Sequence, residues 1–449
     1  MCTCQWVLAF CDRYIMLIPR CSSISSYVIM AVSKSSNRMT FVSVSVPVLI
    51  ATLFVLKTVL KRNYVLPLTI QGKQDQHFDI CIVGAGLSGA VVVERYAATT
   101  NKSILVVEKR SQVGGNCYDY IDKETKIRVS KYGAHLFHTK YKHVWEYVQH
   151  FSEWVPYEHK VLALVKGKYV PIPVNIDTVN TLFNLDIRSV KEMNSWLKNE
   201  QVHYNRSSLN SEEMALSRVG LKLYELLFKP YTIKQWNKTP AELGPSVLAR
   251  IPVRNNWDTR YFSDQFQALP KNGYTELVKN MLKSPKITIR LNIDYFDIQG
   301  SIKCGKTYFT GPIDRYYARK GLAALEYRSL SFERKVIKNV DYFQPASVVN
   351  HPNPKDNFTR IVEYKWFPNQ QYHSNDTVIF IERSTDDGKP YYPVPNKRNK
   401  DLYKRYKAFA NSDSNIHFLG RLANYKYFNM DEAIKKALEI FNNTVNSNL

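Results

Sequence analysis

The chain has 449 residues, 45% of them hydrophobic, and a formal net charge of +23. That length accommodates two or three domains with cores of their own, and the apolar content excludes a chain that is mainly disordered. The basic excess suits anionic ligands such as pyrophosphates, or an acidic surface. No basic-aromatic nucleic-acid module accompanies it, so no nucleic-acid partner is expected.

Residues 1–75 read as an N-terminal extension. They hold eight Lys/Arg and two Asp, so +17 of the charge resides in the remainder. Thr40 to Leu56 is a 17-residue uncharged run, interrupted by Pro47 and followed by Lys57 and Lys61-Arg62. It sits at the short limit for a bilayer span. Three readings stay open: a signal anchor or transmembrane segment over about residues 40–60, a targeting peptide, or an upstream stretch outside the translated protein with Met39 as the start. The flanking charges favour a catalytic body facing the cytosol, membrane-anchored or otherwise cytoplasmic. Cys2, Cys4, Cys11 and Cys21 crowd the N-terminus, and only Cys81, Cys117 and Cys304 follow. The body is therefore expected to be free of disulfides, as in a reducing compartment. Cys2 and Cys4 lack a second ligand pair, so no zinc is expected.

Phe78 to Val83 is an apolar run ending at glycine, which predicts a buried parallel strand. Gly84, Gly86 and Gly89 then form G-x-G-x-x-G, and Ala90 to Thr99 continues as a helix. The three glycines serve the tight turn, the approach of a pyrophosphate and the packing of helix on strand. Ile104 to Val107 reads as a second strand ending in Glu108, 19 residues after Gly89, where an acid can accept from a ribose hydroxyl. The glycine motif alone is a weak signal, but strand, helix and acid in register make it a dinucleotide site. Val113-Gly114-Gly115-Asn116 just beyond favours FAD over NAD.

Next comes Lys131-Tyr132-Gly133-Ala134-His135-Leu136-Phe137-His138-Thr139. The two histidines lack a third ligand at helical spacing. They read as ring-side or packed histidines, and no metal is expected. Tyr157 to Pro173 alternates and predicts strands, and residues 176–230 are mostly helical. Ser246 to Asp258 reads as a loop. Residues 286–310, 327–335 and 358–383 are strand-rich, Ile416 to Gly420 is another short strand, and Asp431 to Asn442 is a C-terminal helix.

Several segments combine aromatics with arginine: Tyr231-Thr232-Ile233-Lys234-Gln235-Trp236, Arg250-Ile251-Pro252-Val253-Arg254, Tyr261-Phe262-Ser263-Asp264 and Gly420-Arg421 through Tyr427. Thr310-Gly311-Pro312-Ile313-Asp314 and Leu325-Glu326-Tyr327-Arg328-Ser329-Leu330 are equally distinctive. Tyrosine and tryptophan faces stack on sugars and bases, and guanidinium forks hold diphosphates.

On these motifs the sequence from about residue 77 to 440 resembles the bacterial-type UDP-galactopyranose mutases. The resemblance implies an α/β fold, α+β overall. It comprises a discontinuous Rossmann-like FAD domain, an inserted helical domain and a twisted antiparallel sheet. Their implied extents are 76–156 with about 300–335 and 410–449 for FAD, 176–250 with a mobile loop over 246–258 for the helices, and 157–175 with about 256–299 and 336–409 for the substrate sheet.

By the same resemblance, Gly84, Gly86, Gly89, Glu108, Lys109, Gly115, Asn116, His135, Leu136, Gly311, Arg421 and Met430 would hold FAD. His138 would lie beside the isoalloxazine. Arg254 and Arg360 would clamp the diphosphate. Tyr231 and Trp236 would line the uridine pocket, with Tyr261 and Phe262 nearby. Tyr392 and Tyr427 would donate to phosphate oxygens, and His159, Asn350, Glu382 and Asn429 would stand on the substrate side. Asn429 replaces the family's usual Asp, and His159 stands where some members carry Asn.

The implied reaction is the interconversion of UDP-galactopyranose and UDP-galactofuranose, an isomerisation that supplies galactofuranose for glycans. N5 of reduced FAD would hold the sugar as an adduct while UDP departs. NAD(P)H or another reductant would set the flavin, and a homodimer is among the implied assemblies. The alternative is an FAD oxidoreductase of the amine-oxidase type, which shares the glycine signature but does not account for the paired arginines.

Overall fold

The computed structural model describes residues 76–446 apart from 207 and 208, together with the backbone of four N-terminal strands. Strand Gln76–Val83 lies at the centre of a five-stranded parallel sheet. Ile104–Glu108 and then Ile287–Leu291 stand on one side, and Ile302–Phe309 and then Ile416–Phe418 on the other. The strands are apolar because both faces are covered. Ile80, Ile82, Ile104 and Val106 are fully buried. Burial of each such side chain stabilises the fold by about 1.5–3 kcal/mol. One covering layer is helix Leu87–Thr99. The Tyr96 hydroxyl on that helix meets the Tyr308 hydroxyl at 2.7 Å, and its ring packs edge-to-face with Phe441, on the C-terminal helix Met430–Asn446, with centroids 4.9 Å apart.

The chain leaves the central strand for one neighbour and returns later for the other. The turns after Val83, Glu108, Phe309 and Phe418 therefore gather at the carboxyl ends of the strands. A parallel sheet binds ligands in such a crevice.

A second sheet has seven strands, in the order Lys168–Ile172, Val161–Val165, Val348–Asn350, Arg360–Glu363, Thr377–Thr385, Tyr327–Ile337 and Tyr392–Pro393. All its pairings are antiparallel except Val161–Val165 with Val348–Asn350. A three-stranded sheet pairs Phe266–Pro270 with both Trp154–Pro156 and Phe137–Thr139. The helical region comprises Ile176–Phe183, Val190–Glu200, Ser211–Leu223 and Lys229–Trp236. Asn175 and Asn210 cap two of these helices through capping boxes.

Several expectations change. Ile287–Leu291 belongs to the parallel sheet, because its apolar residues extend that sheet beside Ile104–Glu108. Tyr327–Ile337 belongs to the seven-stranded sheet, paired along its length with Thr377–Thr385. Ser246–Ala249 forms one helical turn within the segment read as loop. Cys81 and Cys304 are joined by a disulfide between neighbouring strands of the parallel sheet, contrary to the expected disulfide-free body. They lie 223 residues apart in sequence, so only the strand pairing brings them together.

Met1–Gln74 forms a unit of its own. In it Trp6–Phe10, Arg13–Pro19, Ser26–Ser33 and Met39–Ser45 pair in sequence order as an antiparallel meander. The uncharged run from Thr40 to Leu56 begins in the last of these strands, and its residues 46–56 lie outside the described ones. Among the described residues, no helix is long and apolar enough to cross a membrane.

Candidate active site

Two cavities meet beside the crevice. The first is floored by the glycine turn. Gly84 has φ +106°, and its N–H donates to Val107 O at 2.8 Å. A Cβ there would collide with Thr310 Oγ1, and one at Gly89 with the Gly84 carbonyl. Gly115 has φ +57°, and a Cβ on it would stand 2.8 Å from Gly86 Cα. Two bare backbones thus face one another, the surface that a pyrophosphate needs.

Helix Leu87–Thr99 opens on this cavity with no side-chain cap and no acid in its first turn. Its orphan N–H groups and positive dipole end remain available to an anion. Glu108 is buried. Its carboxylate accepts from the N–H groups of Ala85 and Arg110, each at 2.9 Å, which ties the acid to the glycine turn. Asn116 Oδ1 accepts from Arg110 Nη2 at 2.9 Å, while Arg110 Nη1 is buried without a partner. Burial, then the neighbouring Arg315, lowers the pKa of Lys109. Gly311 also lines this cavity, packed against the ring of Phe309. The glycine cradle, uncapped helix and orphaned guanidinium donor fit a dinucleotide such as FAD.

The second cavity is walled by side chains from the helical region, the seven-stranded sheet and the 420s turn. Leu136, His138, His159, Tyr231, Trp236, Tyr261, Phe262, Asn350, Arg360, Tyr392 and Tyr427 all line it. Tyr392 and Tyr427 stack with centroids 5.8 Å apart, and Trp236 lies 6.3 Å from Tyr392. Arg421 stands over Tyr427 at 4.8 Å and donates to Phe428 O at 2.8 Å. Burial works to raise the Tyr427 hydroxyl, but Arg250 and Arg421 outweigh it and leave its pKa lowered. Burial raises Tyr231.

His159 is buried, and desolvation, aided by Arg360 and His138, pushes it down to about 3. His135 Nδ1 meets Gly133 O at 2.7 Å, and desolvation holds that ring down at about 4. Both imidazoles are neutral near pH 7. His138 bonds through Nδ1 to Asp264 Oδ2 at 2.5 Å, so its partner is a carboxylate.

Four residues, His135, Arg421, Asn429 and Met430, line both cavities. The two spaces therefore share a wall in which a ring system reaching from the first would face whatever fills the second.

Two expected residues stand elsewhere. Arg254 is absent from the cavity wall. Its Nη1 donates to Asp258 Oδ2 at 2.5 Å and its Nη2 to Arg260 O at 2.7 Å, so a local carboxylate and carbonyl hold it. Arg250, four residues earlier in the same motif, faces the cavity instead, 4.3 Å over the Tyr427 ring. The motif's two arginines are thus placed differently, Arg250 against the cavity and Arg254 against Asp258 and the Arg260 carbonyl. Glu382 is only 1% exposed and does not line the cavity. It accepts from Arg360 Nε at 2.6 Å and so holds the arginine from behind.

Lys234 was also unassigned. Its ammonium donates to the carbonyls of His351, Asn353, Asp356 and Phe358, tying the helix that carries Tyr231 and Trp236 to the segment between Asn350 and Arg360. Burial lowers its pKa to about 8.

Comparison with known proteins identifies what this chain is similar to. A family model described as UDP-galactopyranose mutase matches residues 226–427, and one described as an NAD(P)-binding Rossmann-like domain matches residues 82–151. The chain is 36% identical over 364 residues to a "Probable UDP-galactopyranose mutase" of Klebsiella pneumoniae, covering 80% of this chain and 93% of that one. It is 35% identical over 368 residues to a dTDP-fucopyranose mutase of Escherichia coli, covering 80% and 96%. A crystal structure of reduced UDP-galactopyranose mutase shares the fold with a TM-score of 0.64 at 15% identity, over 82% of this chain and 94% of that one.

Proposed function

The chain belongs to the UDP-galactopyranose mutase family, and on that premise we propose that it interconverts UDP-galactopyranose and UDP-galactofuranose with FAD in the first cavity and the nucleotide sugar in the second. The observation that carries this reading is the shared wall of His135, Arg421, Asn429 and Met430. It lets one ligand's ring system confront the other's sugar.

The glycine turn, the amide end of helix Leu87–Thr99, Glu108 and Asn116 would hold FAD, with Lys109 and Arg110 balancing its phosphates. When bound and reduced, FAD supplies an electron-rich centre to a sugar whose bond to UDP is breaking. The two sugar isomers have the same oxidation level, so an external reductant such as NAD(P)H only prepares the enzyme.

The chain's own residues do the rest. Tyr231 and Trp236 offer aromatic surface to the base. Arg250 and Arg360 flank the space where the diphosphate would lie, and their fixed charges stabilise the negative charge that builds on UDP as it leaves. Glu382 keeps the Arg360 fork in one orientation, and Tyr392 and Tyr427 present hydroxyls beside it. Neutral His159 can donate to or accept from a sugar hydroxyl without repelling the arginines. Asn429, at the shared wall, offers an amide that can hydrogen-bond sugar hydroxyls without adding charge.

The test is to incubate the full chain with UDP-galactofuranose and dithionite and resolve the nucleotide sugars. UDP-galactopyranose should accumulate for many turnovers without consumption of reductant. A parallel arm with dTDP-fucopyranose decides the head group: faster turnover there would replace the uridine assignment. Net loss of hydride from the sugar to oxygen would favour the amine-oxidase alternative.

A further inference from the structure

The tetrapeptide Tyr261-Phe262-Ser263-Asp264 grips one imidazole by two of its features. Phe262 lies flat on the His138 ring, with centroids 3.6 Å apart and 14° between planes. Asp264 Oδ2 meets the same ring's Nδ1 at 2.5 Å. The grip is closed through the backbone. His138 pairs directly with Gln267 on the neighbouring strand, and Gln267 Nε2 donates back to the Asp264 carbonyl at 3.0 Å. His138 is buried against this support while its ring lines the second cavity.

An ionised carboxylate can only accept, so the bond to Asp264 places a proton on Nδ1. In the neutral ring the lone pair then belongs to Nε2, the nitrogen left over for the cavity. A half-turn of the ring about its Cβ–Cγ bond would put Cδ2 in place of Nδ1 and break the hydrogen bond to Asp264. Two other titratable side chains lie within electrostatic reach. They are Asp431, from the C-terminal helix, and His159, which burial keeps neutral.

We propose that Asp264 is a positioning residue for the isomerase reaction: it fixes His138 as the Nδ1–H tautomer, so that Nε2 stands ready as a hydrogen-bond acceptor where the sugar and the flavin ring meet. The inference rests on the reading of the two cavities given above. It assigns a task to the last residue of the Tyr261–Asp264 motif that stacking of its aromatics does not explain. Ring opening and closure move a proton on and off sugar hydroxyls, and an acceptor of fixed orientation serves that exchange in both directions.

The experiment uses holoenzyme labelled with nitrogen-15 histidine. Wild type, Asp264→Ala, Asp264→Asn and Asp264→Glu are each checked for flavin content. The imidazole nitrogens are read by NMR, and steady-state kinetics are measured with UDP-galactofuranose. The His138 resonance, assigned by its absence in His138→Gln, should report a protonated Nδ1 in wild type and in Asp264→Glu. In Asp264→Ala it should shift toward the Nε2–H form. The value of kcat should fall about tenfold to a hundredfold in Asp264→Ala, with KM within about twofold, and Asp264→Glu should recover part of the loss. If Asp264→Ala does not fold, the near-isosteric Asp264→Asn carries the same comparison.

An unchanged tautomer in flavin-loaded Asp264→Ala, or wild-type kcat in that variant, overturns the proposal. So does a loss confined to KM, which would make Asp264 a substrate contact. A wild-type enzyme that binds flavin yet does not isomerise would instead sink the parent reading.

Discussion

The two cavities are built by opposite means. The first is floored by backbone, with glycines at 84, 86, 89 and 115, a helix start and one acid, all between Gly84 and Gly115. The second is made of side chains drawn from segments between Tyr132 and Met430, and it exists only once three sheets and a helical region have assembled. A cavity of backbone tolerates no added atoms. A cavity of side chains tolerates change in shape but depends on where charges stand. Substitutions should therefore fail in different ways on the two sides of the shared wall.

The largest effects belong to the backbone side. Gly89→Val should yield no soluble, flavin-bearing protein, because its Cβ meets the Gly84 carbonyl and neither strand nor helix can yield. Gly86→Val should fold, since its Cβ would clear Gly115 Cα at 3.6 Å, but it should purify colourless. Visible flavin absorbance per mole of soluble protein checks both.

On the side-chain side, Arg250→Ala and Arg360→Ala should each cost about 2–4 kcal/mol in kcat/KM while keeping flavin and fold. Lysine at either position should recover only part, because the forked geometry is lost. Steady-state kinetics beside flavin content give the answer, and near-wild-type values in both alanine variants would remove the clamp.

Smaller still is the acid sensitivity of His159. Its native pKa is depressed to about 3, so the unfolded chain takes up a proton near pH 6.5 that the native protein refuses. Stability is thus complete above about pH 6.5 and declines as pH falls toward about 3. Between about pH 7 and pH 4 the wild type should lose roughly 2–3 kcal/mol more than His159→Gln, measured by urea unfolding.

The smallest effect is expected at Arg254. Alanine there releases Asp258 and the Arg260 carbonyl but removes nothing from the cavity wall. Its kcat/KM should stay within about 1 kcal/mol of wild type. A loss matching that of Arg250→Ala would show that the segment turns over during catalysis and that both arginines reach the ligand.

How much was legible follows the same division. The dinucleotide half could be read directly, because strand, glycines, helix and Glu108 are consecutive and their spacing is the structure. The second half was legible as a set of motifs, but not in its orientations. Arg250 and Arg254 share one motif, and only the fold turns one inward and pairs the other with Asp258. Glu382 was read as a substrate-side residue, and its place behind the Arg360 guanidinium depends on the register of two antiparallel strands, in which the two residues are direct partners. The disulfide was missed for a related reason: compartment arguments use the count of cysteines, whereas Cys81 and Cys304 meet through strand adjacency. Strand Ile287–Leu291 was misplaced because a short apolar strand carries no mark of the sheet it will join.

The central claim is that the two cavities are one site, with the nucleotide sugar held against the flavin. It is tested most directly by titrating the reduced holoenzyme with UDP-galactopyranose while recording the flavin spectrum, with calorimetry in parallel on flavin-loaded and flavin-free protein. The account predicts a saturable spectral perturbation with the same midpoint as binding, and both should weaken together in Arg360→Ala. Binding of UDP-galactopyranose that leaves the flavin spectrum unchanged, with equal affinity for flavin-free protein, would contradict it.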